Sequence, residues 1–318
     1  MNFAMTGVAG YIAPRHLRAI RDTGHVLVAA LDPSDSVGVL DQFSLGVKFF
    51  DHFERFERHL EKLHAGSSEQ RVHYLSVCAP NYVHDTHCRL GLRLGADIIC
   101  EKPLVINPWN LDELARAEVE SGHRINTVLQ LRVHPKLVAL RQELLRSEAS
   151  GRHDVCLTYV TGRGAWYHVS WKGSEEQSGG IATNIGIHLF DLLLWLFGSA
   201  ENAEVHHRDR NSVAGSFELE RARVRWFLSV DPGDLPFPAE PGKRTTYRSI
   251  QIDGDEMDFT EGFADLHTRV YEETLAGRGF GIDDVRPATE LTYRIRMAEL
   301  AARRDNAHPY MQGLRRQP

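Results

Sequence analysis

The sequence predicts an α/β domain followed by an α+β domain. A parallel sheet with helices on both faces is expected over residues 1–124, and a mostly antiparallel mixed sheet with helices over 125–318. Three observations predict this. The chain of 318 residues exceeds what one ordinary core fills, which favours two domains. Its first third alternates short apolar runs with amphipathic helical stretches, the pattern of buried parallel strands joined by helices. From residue 153 onward, strand-like segments follow one another with short breaks, as antiparallel neighbours do.

In chain order, residues 3–9 (FAMTGVA), 25–32 (HVLVAALD), 72–80 (VHYLSVCAP) and 96–103 (ADIICEKP) are predicted strands of the first domain. Helices are predicted over 14–23, 51–65 and 84–94, and RINTVLQLR (124–132) hands the chain to the second domain. There, strands are predicted over 153–163, 203–210, 213–220, 222–230 and 247–254. GIHLFDLLLWLFG (186–198) and GFADLHTRVYEETLAG (262–277) supply helices. Four prolines between Pro232 and Lys243 predict a loop. Residues 286–304 read as a closing helix with a frayed tail beyond it.

Composition excludes several classes. A net charge of −6 offers no general attraction to nucleic acid or an anionic membrane. The amino-terminal residues lack the pattern of a signal peptide, and the apolar run Leu189–Phe197 is too short to span a bilayer and is broken by Asp191. Cys78, Cys88, Cys100 and Cys156 form no CxxC pair, so buried thiols in a cytoplasmic protein are expected. His84 and His87 have helical spacing, but no third ligand stands at a recognised zinc spacing, and no metal is expected.

Gly7-Val8-Ala9-Gly10-Tyr11-Ile12-Ala13 lies between the first strand and the first helix. Glycines there let the backbone turn tightly and approach a pyrophosphate held at the helix N-terminus. The spacing is GxxGxxA rather than GxGxxG, and such a turn also serves purely structural ends. Asp32 closes the second strand 22 positions after Gly10, where a carboxylate accepts from an adenosine ribose and repels a 2′-phosphate. No arginine follows in Pro33-Ser34-Asp35-Ser36. The two features in register predict a Rossmann domain binding NAD rather than NADP.

Ala79-Pro80-Asn81 with His84, then Glu101-Lys102-Pro103, then Gly179-Gly180 with Asn184 through Asp191, resemble the glucose-fructose oxidoreductase/inositol dehydrogenase/MocA family over nearly the whole chain. The resemblance implies a Rossmann domain joined to an open-faced mixed sheet, and oxidation or reduction of sugars or cyclitols with a nicotinamide cofactor. It implies a cofactor set of Gly7, Ala9, Gly10, Tyr11, Ile12, Asp32, Ser36, Pro80, Asn81, His84, Glu101, Lys102 and Gln130. On its own Lys102 is a turn lysine before proline. At the carboxyl end of a strand it can also donate to a substrate oxygen, and the resemblance makes it catalytic. His188 begins an apolar helix, where α-helical spacing sets it on one face with Asn184 and Asp191. Its imidazole has the intrinsic affinity to take a hydroxyl proton. Many relatives carry Asp where this chain has Asn184, and the neutral amide favours a substrate bearing a carboxylate.

Further strings, including GYIAPRH (10–16), LDPSDSVG (31–38), LQLRVHP (129–135), SWKG (170–173), DLHTRVY (265–271) and LAGRGFG (275–281), resemble the bacterial UDP-N-acetyl-2-amino-2-deoxyglucuronate 3-dehydrogenases of that family. This implies oxidation of the 3-hydroxyl of UDP-N-acetylglucosaminuronic acid (UDP-GlcNAcA), ahead of an aminotransferase, for 2,3-diamino sugars of surface polysaccharide such as O-antigen. A homotetramer or homodimer is implied as well. Such a substrate calls for cationic and hydroxyl donors. Lys102, Arg132, Arg163, Tyr167, Lys172, Thr183, Asn184 and His188 are the predicted substrate set, with Ser170 as a further donor and Trp166 and Trp171 as stacking rings. The aromatic and basic residues equally suit an interface, and Arg278 suits either a reach to a neighbouring subunit's ligand or a plain flexible turn. Two readings stay open beside this one: a family dehydrogenase of another sugar or cyclitol, and a non-catalytic NAD-binding sensor.

Overall fold

The computed structural model describes residues 1–146, 151–240, 243–257, 265–302 and 306–311. The chain divides into two compact units, Met1–His134 with Gly262–Arg286, and Pro135–Glu261 with Pro287–Pro318.

The first unit runs β1 (Asn2–Thr6), α1 (Ala13–Asp22), β2 (Val26–Leu31), β3 (Lys48–Phe50), α2 (Phe53–Ala65), β4 (Tyr74–Val77), α3 (His84–Arg93), β5 (Asp97–Cys100), α4 (Pro108–Ser121) and β6 (Ile125–Thr127). The strands form one sheet in the order β3-β2-β1-β4-β5-β6, parallel throughout. Alternation along β1 explains its place in the middle. Phe3 and Met5 enter a core with Leu17, Ile20 and Leu27, while Ala4 enters the opposite core with Phe56, Leu75 and Val77. The strand order reverses between β1 and β4, which opens a ligand crevice beyond their carboxyl ends.

The second unit continues with α5 (Pro135–Arg146), β7 (His153–Thr161), α6 (Trp166–Val169), α7 (Glu175–Ser178), α8 (Ile187–Phe197), β8 (Ala200–Arg208), β9 (Ser212–Leu219), β10 (Ala222–Ser229), β11 (Thr246–Ile252) and β12 (Asp255–Glu256). Its sheet has the order β12-β11-β7-β10-β9-β8, with β7 and β10 parallel and the other neighbours antiparallel. The stretch Glu175–Phe197 is long and apolar enough to cross a membrane, yet 72% of its apolar window is buried, as in a core helix. Phe190 of α8 meets the rings of Phe217 and Trp226 edge-on at 5.5 and 5.4 Å, which fixes the helix on β9 and β10.

Two helices follow, α9 (Leu266–Leu275) and α10 (Ile282–Met297). The division expected at 124/125 falls after His134, and residues 262–286 return to the first unit. Val270 and Tyr271 of α9 share the core of Phe3, Met5 and Leu17, a long-range return that reading along the chain does not reveal. The closing helix expected over 286–304 starts four residues earlier and ends at Met297. Arg208 donates to the carbonyls of Ile295 and Ala298, satisfying the helix end, and Leu300 then pairs with Val205 of β8. Residues 241–242 of the expected loop, 262–264 of the expected helix, and 303–305 and 312–318 of the closing segment lie outside the described residues.

Candidate active site

The turn after β1 is fixed by Gly7. Its φ is +79°, and a Cβ there would lie 2.4 Å from the carbonyl oxygen of Cys78 beyond β4. Strand β1 therefore ends at Thr6 rather than at residue 9. The turn leads into α1, which carries Pro14 at its start and no acidic residue in its first turn, leaving that helix end receptive to an anion. Asp32, just past β2, accepts from the Ala9 N–H with Oδ2 and from the Ser34 N–H with Oδ1, both at 2.9 Å. A glycine that admits no Cβ, an uncontested helix N-terminus and a carboxylate fixed beside the turn fit a dinucleotide. Ala9, Gly10 and Ile12 are half-buried, and Tyr11 and Ser36 are exposed.

The other residues of the expected cofactor set also follow strand ends: Pro80, Asn81 and His84 after β4, Glu101 and Lys102 after β5, and Gln130 after β6. His84 clamps two of these turns, with Nδ1 2.8 Å from the Pro103 carbonyl and Nε2 2.8 Å from that of Ala79. A neutral ring donates to only one carbonyl at a time, and burial favours that neutral form against the pull of both. His87 bonds Thr6 Oγ1 at 3.0 Å and stacks on Phe53, while burial holds its pKa at about 4. Both histidines are thus engaged within the unit.

The Glu101 carboxylate is buried and committed. Its Oε1 accepts from His16 Nε2 and His267 Nε2, each at 3.0 Å, and its Oε2 accepts from the Lys102 N–H at 3.2 Å. Burial opposes ionisation, but the bonds from His16 and His267 hold Glu101 well below the usual carboxylate range. His16 is pushed down by burial, so the direction that stands is an anionic Glu101 beside a neutral His16. Sequence reasoning assigned nothing to His16, His267, Tyr271 or Ser76. The only signal was their place in GYIAPRH, in DLHTRVY and in the predicted strand VHYLSVCAP, since spacing does not report contacts across 85 and 166 residues.

The expected substrate residues divide. Arg132, in the first unit, is committed to Asp284, whose carboxylate and carbonyl it meets at 2.9 Å each, and it stacks on Phe280. Arg278 is paired at 2.7 and 2.9 Å with Glu273. In the second unit, Tyr167 is buried, its hydroxyl accepting from Asn184 Nδ2 at 3.1 Å. Lys172 sits 4.2 Å from the Trp171 ring and 6.0 Å from that of Trp166. Arg163 is exposed, and Thr183 is buried. The helix opens into a π turn over Ala182–Gly186, so α-helical spacing does not relate Asn184 to His188. His188 and Asp191 lie within α8 and keep it, with Tyr159 edge-on to His188 at 5.7 Å. Tyr167 and Lys172 line a cavity of about 150 Å³ whose walls include Arg208, Arg210 and Arg296, three cations the sequence did not single out.

Residues 1–128 match the family described as "Oxidoreductase family, NAD-binding Rossmann fold", and residues 154–226 match "Oxidoreductase family, C-terminal alpha/beta domain". The chain is 51% identical to the WlbA (WbpB) dehydrogenase of Thermus thermophilus, solved in complex with NAD and UDP-GlcNAcA. That match covers 98% of this chain and 99% of that one, with a TM-score of 0.91. The WlbA dehydrogenase of Bordetella pertussis, in complex with NADH and UDP-GlcNAcA, shares the fold at 19% identity and a TM-score of 0.72, covering 92% of this chain and 93% of that one. D-glucoside 3-dehydrogenase of Escherichia coli K12 is 29% identical over 130 residues, 39% of this chain. The matched segment spans about a third of that relative's length (35%).

Proposed function

Because the chain belongs to the glucose-fructose oxidoreductase/inositol dehydrogenase/MocA family of oxidoreductases, we propose that it oxidises the 3-hydroxyl of UDP-GlcNAcA to the 3-keto sugar with NAD. The observation that carries this reading is the 51% identity, over nearly the full length, to a dehydrogenase solved with both NAD and UDP-GlcNAcA. NAD, when bound, supplies the hydride acceptor. Gly7, Gly10 and the start of α1 would hold its pyrophosphate, and Asp32 its adenosine ribose.

His188 takes the proton of the 3-hydroxyl, a task suited to an imidazole that is only half-buried at the start of α8. Lys102, half-buried after β5, donates to substrate oxygen and stabilises developing negative charge. Asn184 offers an amide where a carboxylate would repel the uronate. Lys172, with Arg210 and Arg296 around its cavity, supplies positive charge suited to phosphate. The free state of all four cysteines fits a reducing cytoplasm. The 3-keto product is the carbonyl an aminotransferase requires, which places the reaction in diamino-sugar synthesis for surface polysaccharide such as O-antigen. A homotetramer or homodimer completes the reading.

The test incubates the protein with NAD and UDP-GlcNAcA, with and without 2-oxoglutarate as a hydride sink, and follows the nucleotide sugar by mass spectrometry. Loss of two hydrogens, abolished in Lys102→Ala and in His188→Ala, is expected. An unchanged sugar under every condition would sink the assignment and leave the other sugars and cyclitols to be tried.

A further inference from the structure

Behind Lys102 lies a buried polar chain with a defined direction. A carboxylate only accepts, so the two imidazole contacts to Glu101 Oε1 are Nε2–H donations, from His16 and from His267. The neutral His16 ring is left with a lone pair on Nδ1, and Tyr271 Oη lies 2.8 Å from it. Tyr271 therefore donates to His16 and accepts in turn from Ser76 Oγ at 2.7 Å. Every proton from Ser76 to Glu101 is accounted for. His16, Tyr271 and His267 are buried in unit one, and α9 contributes two of the three. The same carboxylate receives the Lys102 N–H on its other oxygen.

We propose that His16 and His267 are positioning residues for Lys102: they hold the Glu101 carboxylate in one orientation, and that carboxylate in turn holds the Lys102 main chain. The inference rests on the reading of Lys102 as the group that meets substrate oxygen. An imidazole–carboxylate–imidazole cluster is also the donor set of a metal site, and its ligand atoms lie within 4.8 Å of one another. The 3.0 Å contacts and the unbroken proton order from Ser76 are what hydrogen bonds alone require. Freed from the two imidazoles, the carboxylate gains rotational freedom, and misplacing a reacting group by about 1 Å from a distance lowers rate by roughly 10²-fold.

The test compares His267→Ala, His267→Gln, Tyr271→Phe and Lys102→Ala in the full-length enzyme with NAD and UDP-GlcNAcA. Rates are expressed per NAD-binding site, so that a loss of folded protein cancels. His267→Ala is expected to lower kcat by about 10²-fold with little change in either KM. His267→Gln, which restores an N–H donor, recovers part of it. Tyr271→Phe deletes only the hydroxyl that orders His16 and keeps the ring packing, so it reads the network even where His267→Ala folds poorly. Its kcat falls while NAD binding holds. A wild-type kcat per site in both His267→Ala and Tyr271→Phe would overturn the proposal, as would one equivalent of metal in the purified protein. If Lys102→Ala itself turns over normally, it is the reading of Lys102 that fails.

Discussion

Replacing Gly7 by alanine separates two strains that usually occur together. Gly7 and Gly24 have nearly the same backbone, φ +79° and +77°. A Cβ on Gly24, between α1 and β2, meets nothing within 4 Å, whereas on Gly7 it meets Cys78 O at 2.4 Å and Ala79 N at 2.5 Å. Gly24→Ala therefore carries only the left-handed strain, about 1–2 kcal/mol. Gly7→Ala carries the same strain plus overpacking against main chain that cannot rotate away, about 1–3 kcal/mol more. The displacement falls on the turn proposed to cradle a pyrophosphate, and 1.4 kcal/mol lost there is roughly tenfold in affinity. Urea unfolding and NADH fluorescence titration read the two effects. Gly7→Ala should be less stable than Gly24→Ala and should raise the cofactor Kd about tenfold or more, while Gly24→Ala leaves the Kd unchanged. Equal behaviour of the two variants would refute the assignment of Gly7 to a close approach between the turns after β1 and β4.

Asp32→Ala removes the acceptor of the Ala9 and Ser34 amides, and with it the carboxylate proposed to meet a ribose. The NAD Kd should rise about tenfold and the preference for NAD over NADP should narrow, as read by parallel titrations. Arg132→Ala removes charge-assisted hydrogen bonds to Asp284, whose carboxylate is partly exposed, so the unfolding free energy should fall by about 1.5–3 kcal/mol while the KM for UDP-GlcNAcA stays near wild type. A raised KM at unchanged stability would return Arg132 to the substrate set. His308 accepts the Tyr310 N–H on Nδ1 and contacts Thr158 Oγ1 through Nε2 at 3.1 Å, an arrangement of the neutral ring. Burial depresses its pKa to about 4, against 6.5 when unfolded. Its share of stability, roughly 3 kcal/mol, is thus fully present above pH 6.5 and is lost as the pH falls towards 4. In His308→Gln the midpoint for urea unfolding should fall less steeply over that window. A slope equal to the wild type's would exclude this contribution.

The alternation of apolar runs and helices made the parallel sheet legible, because each of its long strands is buried on both sides. β3 escaped because Lys48–Phe50 is three residues with a polar start. The place of Asp32 beside the glycine turn was legible from its distance along the chain, and that of Lys102 at a strand end from the apolar run before it, whereas a role for Lys102 came from the family resemblance alone. The commitment of Arg132 to Asp284 was not, because nothing local distinguishes an arginine bound for protein from one bound for ligand. The π turn at Ala182–Gly186 was hidden for a related reason: a one-residue change of helical period leaves an apolar run looking the same. The His16–Glu101–His267 cluster joins α1, the end of β5 and α9, and only the return of residues 262–286 assembles it.

Oxidation at C3 is followed with UDP-GlcNAcA carrying deuterium on C3. The label is expected to leave the sugar and to be recovered on reduced nicotinamide, or on 2-hydroxyglutarate when 2-oxoglutarate is present. Turnover with the deuterium retained on the sugar would contradict it.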